Sequence, residues 1–165
     1  MKLCLVQVLF FTAVAAAHAQ VLTLSNPTSL RHVTRNSHKR VVANFSLTYT
    51  ADPSGAAVVD AIQFTLLPYT PANLTSFTAT AGSGSTAAGK QVQCTAPSPL
   101  GVVVCVVYGL NVNMIGTGDV VDFSAVFLPS TGLKQARFVL SGVVAADENG
   151  NGAVILGSSV GFGVP

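Results

Sequence analysis

The chain has 165 residues, of which 50% are hydrophobic and only 8% charged, with a formal net charge of +2 at pH 7. That length suits one domain. A near-neutral charge gives no electrostatic footprint for nucleic acid or an anionic membrane, and a body rich in Val, Ala, Thr, Ser and Gly favours strands over long helices.

The N-terminus reads as an address. Lys2 is the positive n-region, Leu3 to Ala17 the apolar h-region, and Ala17-His18-Ala19 an A-x-A cleavage motif. Residues 1–19 are therefore expected to be a signal peptide and residues 20–165 a single exported domain, with no membrane attachment after cleavage. The apolar run is too short to be a convincing membrane span, and Gly, polar residues or charges interrupt every later one.

From Gln20 the chain reads as short strands separated by turn clusters, the pattern of a sandwich or barrel. Val21–Leu24 ends at Ser25-Asn26-Pro27. The basic cluster Arg31, Arg35, Lys39, Arg40, with His32 and His38 beside it, reads as a solvated loop. Val41–Thr50 is the clearest strand, with Val41, Ala43, Phe45, Leu47 and Tyr49 on its core face. Asp52-Pro53-Ser54-Gly55 turns the chain into Val58–Leu67. There Val58, Ile62, Phe64 and Leu66 face the core, and Asp60 shares that face near the strand start, within reach of water. Pro68 and Pro71 end this strand, and Pro71–Leu74 has room for a helical turn. Leu74–Ala81 follows, with Leu74, Ser76, Thr78 and Thr80 on one side against Thr75, Phe77, Ala79 and Ala81. Gly82-Ser83-Gly84-Ser85 reads as a flexible loop.

Lys90–Thr95 and Val102–Leu110 flank the turn signal Ala96-Pro97-Ser98-Pro99-Leu100-Gly101. The turn centre lies near the midpoint between Cys94 and Cys105, so the two cysteines are expected to face each other across a hairpin and form a disulfide. An exported chain with an even cysteine pair fits that reading. The spacing is not C-x-x-C and no His follows Cys105, which argues against a metal or redox pair. Asp119–Leu128, Lys134–Val144 and Ala153–Val164 complete the set, with Val121, Phe123, Ala125, Phe127, Phe138 and Leu140 as core positions. The total is about nine strands: an all-β, antiparallel sandwich.

Chemistry-bearing residues are scarce. His32 and His38 are the only histidines beyond the signal peptide. No G-x-S-x-G elbow, phosphate loop, zinc pattern or dinucleotide fingerprint occurs, and the carboxylates fall mostly at turns, where they cap backbone N–H groups. No catalytic residue, cofactor or metal is therefore expected, and the chain reads as a non-enzyme. Asp147-Glu148-Asn149-Gly150-Asn151-Gly152 matches the first half of an EF-hand calcium loop. The twelfth position, which needs a bidentate carboxylate, is Ser158. A Gly/Asn-rich β-turn and a weak calcium site are the two readings of this segment. The chain has no Trp, Tyr49 is a core position, and Tyr69 and Tyr108 stand alone near strand ends. Asn44-Phe45-Ser46 and Asn73-Leu74-Thr75 are formal N-glycosylation sequons.

Ala61-Ile62-Gln63-Phe64-Thr65-Leu66-Leu67 resembles an early strand of a cohesin domain. Leu74-Thr75-Ser76-Phe77-Thr78-Ala79-Thr80-Ala81-Gly82 resembles the short strand, ending in a small residue and glycine, that comes next in that family. Gly118-Asp119-Val120-Val121-Asp122-Phe123 looks like its valine-phenylalanine core strand. Arg137-Phe138-Val139-Leu140 and the turn Asp147 to Gly152 look like its closing pair. The resemblance implies a nine-stranded jelly-roll sandwich and a binding function, typically toward a dockerin module carried by a secreted enzyme. Cohesins usually present polar and acidic residues on the dockerin-facing sheet, whereas the outward positions here are Ala61, Gln63 and Thr65. Gln63 and Thr65 are the candidate partner-binding residues. Two other functions fit the composition: a carbohydrate-binding sandwich taking a polysaccharide through Tyr69 or Tyr108, and a structural surface protein assembling through uncharged sheet edges.

Overall fold

The computed structural model describes residues 20–27, 29–35, 38–51, 59–68, 73–128, 135–153, 155–157 and 160–163. The expected signal peptide, Tyr69, Val58 and the remainder of the Asp52 turn lie outside the described residues. In chain order the elements are β1 (Gln20–Leu24), β2 (Ser29–Arg35), β3 (His38–Thr50), β4 (Ala61–Pro68), β5 (Leu74–Ala81), α1 (Ser83–Ala87), β6 (Gln91–Cys94), β7 (Val103–Tyr108), β8 (Gly118–Phe127), β9 (Gln135–Ala146), β10 (Gly152–Ala153), β11 (Ile155–Gly157) and β12 (Val160–Gly163).

They form two sheets. One runs β11-β1-β3-β8-β5, with β2 also on β3; the other runs β10-β9-β4-β7-β6, with β12 also on β9. Every pairing is antiparallel except β1 with β11, which is parallel. β1 covers residues 47–50 of the long β3, and β2 covers residues 38–44. Between β1 and β2 stands Pro27, which has no N–H to give a ladder. Ser25 keeps that junction attached: its N–H donates to the Ser46 carbonyl at 2.8 Å, and its hydroxyl accepts from the Ser46 N–H at 2.8 Å.

Four expectations change. The basic cluster is not a loop: β2 and the start of β3 pair residue by residue from Ser29↔Asn44 to Arg35↔His38, so Arg31, Arg35, Lys39 and Arg40 lie on a β-hairpin. Gly82–Ser85 is not a flexible loop, because α1 begins at Ser83 with Ser85 fully buried. A Cβ at Gly82 would meet the Asp119 carbonyl oxygen at 2.4 Å, so the chain enters that helix through a contact only glycine permits. In β5 the register shifts between Leu74 and Ser76. That bulge puts Leu74 with Phe77 and Ala79 against the core and breaks the simple alternation. The expected final strand is three pieces: β10 and β12 pair with β9 in one sheet, whereas β11 between them pairs with β1 in the other. The chain end therefore crosses the sandwich and returns; the described residues form twelve strand segments against the nine expected, because β2 replaces an expected loop and the expected last strand is divided into three.

The core fills the space between the sheets. Phe45, Phe123 and Phe127 come from one sheet and Phe64 and Phe138 from the other, all at most 2% exposed. Phe138 lies 5.0 Å from Phe45 at 27° and 6.1 Å from Phe127, so it ties the layers together. Each such ring contributes roughly 1.5–3 kcal/mol by burial. Tyr49 is buried as expected, and its hydroxyl donates to Oε1 of the equally buried Gln20 at 2.9 Å.

Candidate functional site

β4 is central in its sheet, flanked by β7 and β9. Its alternation sends Ile62, Phe64 and Leu66 inward and leaves Ala61, Gln63, Thr65 and Leu67 outward. β7 does the same, with Val103, Cys105 and Val107 inward and Val104, Val106 and Tyr108 outward. Register then fixes the outer surface. Gln63 sits between Val106 on β7 and Val144 on β9, and Gln93 on β6 continues the row. Thr65 sits between Val104 and Ser141. The β4–β9 register shifts between Gln63 and Thr65. Gly142, with φ +57° and its Cβ position 3.6 Å from the Thr65 hydroxyl, supplies the left-handed residue beside that bulge.

Gln63 and Thr65 thus share one face, as the sequence suggested. Their valine neighbours and Gln93 were not anticipated as part of it. The signal was the alternation of Val102–Leu110, whose outward valines only acquire meaning once β7 is known to lie beside β4. The rows through Gln63 and Thr65 carry no charge, and Val144 is 59% exposed. Beside Tyr108 at the β6–β7 end, Gly89, Gln91, Gly109, Leu110 and Asn111 complete a notch of about 510 Å³. Leu110 is fully exposed at its rim. The loop carrying it is held from below by Asn111, whose carbonyl accepts from Lys90 Nζ at 2.9 Å and whose Nδ2 donates to the Gly89 carbonyl at 3.2 Å.

Asp60 does not simply face water: its carboxylate pairs with Lys90, whose side chain is fully buried. Cys94 and Cys105 are directly opposed on β6 and β7, with Cα atoms 4.1 Å apart, and are bonded as a disulfide. Cys105 is buried beside Phe64 in the register, so the bridge braces the inner side of the sheet. Asp147 closes its own turn. Oδ1 accepts from the N–H groups of Asn149 and Asn151 at 2.9 and 2.8 Å, and Oδ2 from Asn151 Nδ2 at 2.9 Å. These bonds, first that of the Asn151 side chain, hold the carboxyl below its ordinary value. The geometry is that of the Asn/Gly-rich turn reading. Among the described residues no group of three His, Cys, Asp or Glu side chains could hold a metal ion, and no helix is long and apolar enough to cross a membrane.

No protein-family model matches the sequence, and no curated protein matches it. Solved structures do. A non-cellulosomal cohesin from the archaeon Archaeoglobus fulgidus superposes with a TM-score of 0.57 at 15% identity, over 89% of this chain and 91% of that one. The sixth cohesin of scaffoldin B from Acetivibrio cellulolyticus, solved with a mutant dockerin, gives 0.61 at 16% identity over 87% and 96%. The OlpC cohesin of Clostridium thermocellum, also solved in a cohesin–dockerin complex, gives 0.62 at 10% identity over 87% and 92%. The chain has the fold of a cohesin module.

Proposed function

We propose that this chain is a secreted, non-catalytic, cohesin-like module that engages a protein partner such as a dockerin through the outer face of the β9-β4-β7-β6 sheet. The observation that carries the reading is the uncharged surface centred on Gln63. Charged residues are depleted at the cores of protein interfaces, and apolar area there is desolvated at little cost. Val104, Val106, Val144 and Tyr108 supply apolar area, while Gln63, Thr65 and Gln93 offer hydrogen bonds that fix the partner's orientation. The hydrogen-bonded, disulfide-braced sheet needs little ordering on binding, which conserves affinity.

The test is affinity capture on the immobilised domain, Gln20 to Pro165 with its disulfide formed, from the source's secreted proteins with and without calcium. Calcium-dependent retention of a dockerin-bearing polypeptide is expected, because in the cohesin–dockerin pairing the metal belongs to the dockerin. Retention of nothing in either condition contradicts the reading.

A further inference from the structure

The outer face of the other sheet is chemically different. Asn44 and Ser46 on β3, Asp122 and Ser124 on β8, and Thr78 and Thr80 on β5 line a groove of about 370 Å³. Register arranges them as two cross-strand rows, Asn44–Ser124–Thr78 and Ser46–Asp122–Thr80. The outward side chains of the groove are therefore hydroxyls and one amide with a carboxylate at one row, and the buried Phe45 and Phe123 also border it. Continuing along β3 past Val42, the same outward face reaches Arg40, whose register partner is Val33, and Arg31 opposite Val42. Inward positions Val41 and Ala43 are fully buried, which fixes the outward direction of this set. From Ser46 to Arg40 is about 20 Å at the rise of an extended strand. Neither guanidinium has a partner among the described residues, and Arg40 keeps its Nε buried with no hydrogen-bond acceptor.

We propose that this face binds an acidic polysaccharide, on the side of the sandwich opposite the protein-binding face. Sugar hydroxyls both donate and accept, and the Ser, Thr and Asn groups of the groove match that dual capacity. Asp122 accepts from hydroxyls and repels anions, so it fixes the polarity of the chain: neutral hydroxyls lie over Asp122, and a carboxylate or sulfate lies at Arg31 and Arg40. Guanidinium takes such planar or multi-oxygen anions in bidentate geometry. A nucleic acid would want exposed aromatic rings to stack its bases, and the residues lining this groove offer none to solvent.

Native gel electrophoresis through polygalacturonate tests the proposal. Its fully methyl-esterified form serves as the uncharged control and polythymidylate as the generic polyanion. Retardation by polygalacturonate alone is expected. Arg31→Gln combined with Arg40→Gln should weaken it on the order of tenfold or more, since charge-assisted hydrogen bonds are lost. Arg31→Gln alone, at an exposed position, gives the same direction if the double variant folds poorly. Thr78→Val with Thr80→Val keeps β-branched residues on exposed strand positions and should also weaken it, whereas Val144→Asp on the opposite face should leave it unchanged. No retardation by polygalacturonate, equal retardation by polythymidylate, or no effect of the threonine substitutions each overturns the proposal. Failure of dockerin capture bears only on the other face.

Discussion

The Lys90 ammonium is buried against the Asp60 carboxylate, joining the chain just before β4 to the chain just before β6. The same ammonium donates to the Asn111 carbonyl, so one cation anchors three segments around the notch. Removing one member of such a pair leaves an uncompensated charge. Asp60→Ala should therefore destabilise the domain by about 3 kcal/mol in denaturant unfolding. Lys90→Met, which leaves only the partly exposed carboxylate unpaired, should cost less. Equal costs would show that the ammonium is not the group that depends on the pair.

Phe138, with Phe64, brings the second sheet into a ring cluster otherwise drawn from the first, and it touches Phe45, Phe77 and Phe127. Phe138→Ala should cost about 3–5 kcal/mol, the range for truncating a buried aromatic ring. Thermal or denaturant unfolding measures it. A loss below about 1 kcal/mol would mean that the two sheets do not depend on this contact.

The Cys94–Cys105 bridge closes a loop with a sequence separation of 11. In the chain-entropy model its stabilisation is about 3 kcal/mol. The double substitution Cys94→Ala, Cys105→Ala should lower stability by that order without unfolding the domain at room temperature, because β6–β7 pairing and the core remain.

Asp147 predicts a pH dependence. Its carboxyl lies below the ordinary value of 3.8 because the Asn151 side chain, and the backbone N–H groups of the turn, bond the ionised form. A depressed folded-state pKa adds stability that is fully present above the unfolded value and is lost as pH falls through the folded one. The stability difference between the native chain and Asp147→Asn should therefore be constant from neutral pH to about 4, then shrink in stronger acid. A difference that stays constant throughout would assign the turn's stability to its backbone alone.

Much of this was legible in the chain because alternation is a local property. Val41–Tyr49, Val121–Phe127 and the Cys94–Cys105 hairpin follow from side-chain period and turn chemistry alone. What escaped depends on neighbours distant in sequence. The β2–β3 hairpin hides behind charges that look like a loop, and its ladder follows from register with β3. α1 forms in Ser/Gly-rich sequence because β8 passes within contact of Gly82. The proposed binding face was half visible: Gln63 and Thr65 stood out on their own strand, but Val106 and Val144 join them only through pairings across 43 and 81 residues of chain.

The most direct test of the central claim is calorimetric titration of a dockerin into the native protein and into Gln63→Ala, Thr65→Ala and Val144→Asp variants. All three positions are on the outer face, so the fold should be retained. The account predicts calcium-dependent binding by the native protein, weakened by each alanine substitution and reduced at least tenfold by an aspartate charge at position 144, which the bound partner would desolvate. Native binding left intact in all three variants would place the partner elsewhere on the sandwich and contradict the account.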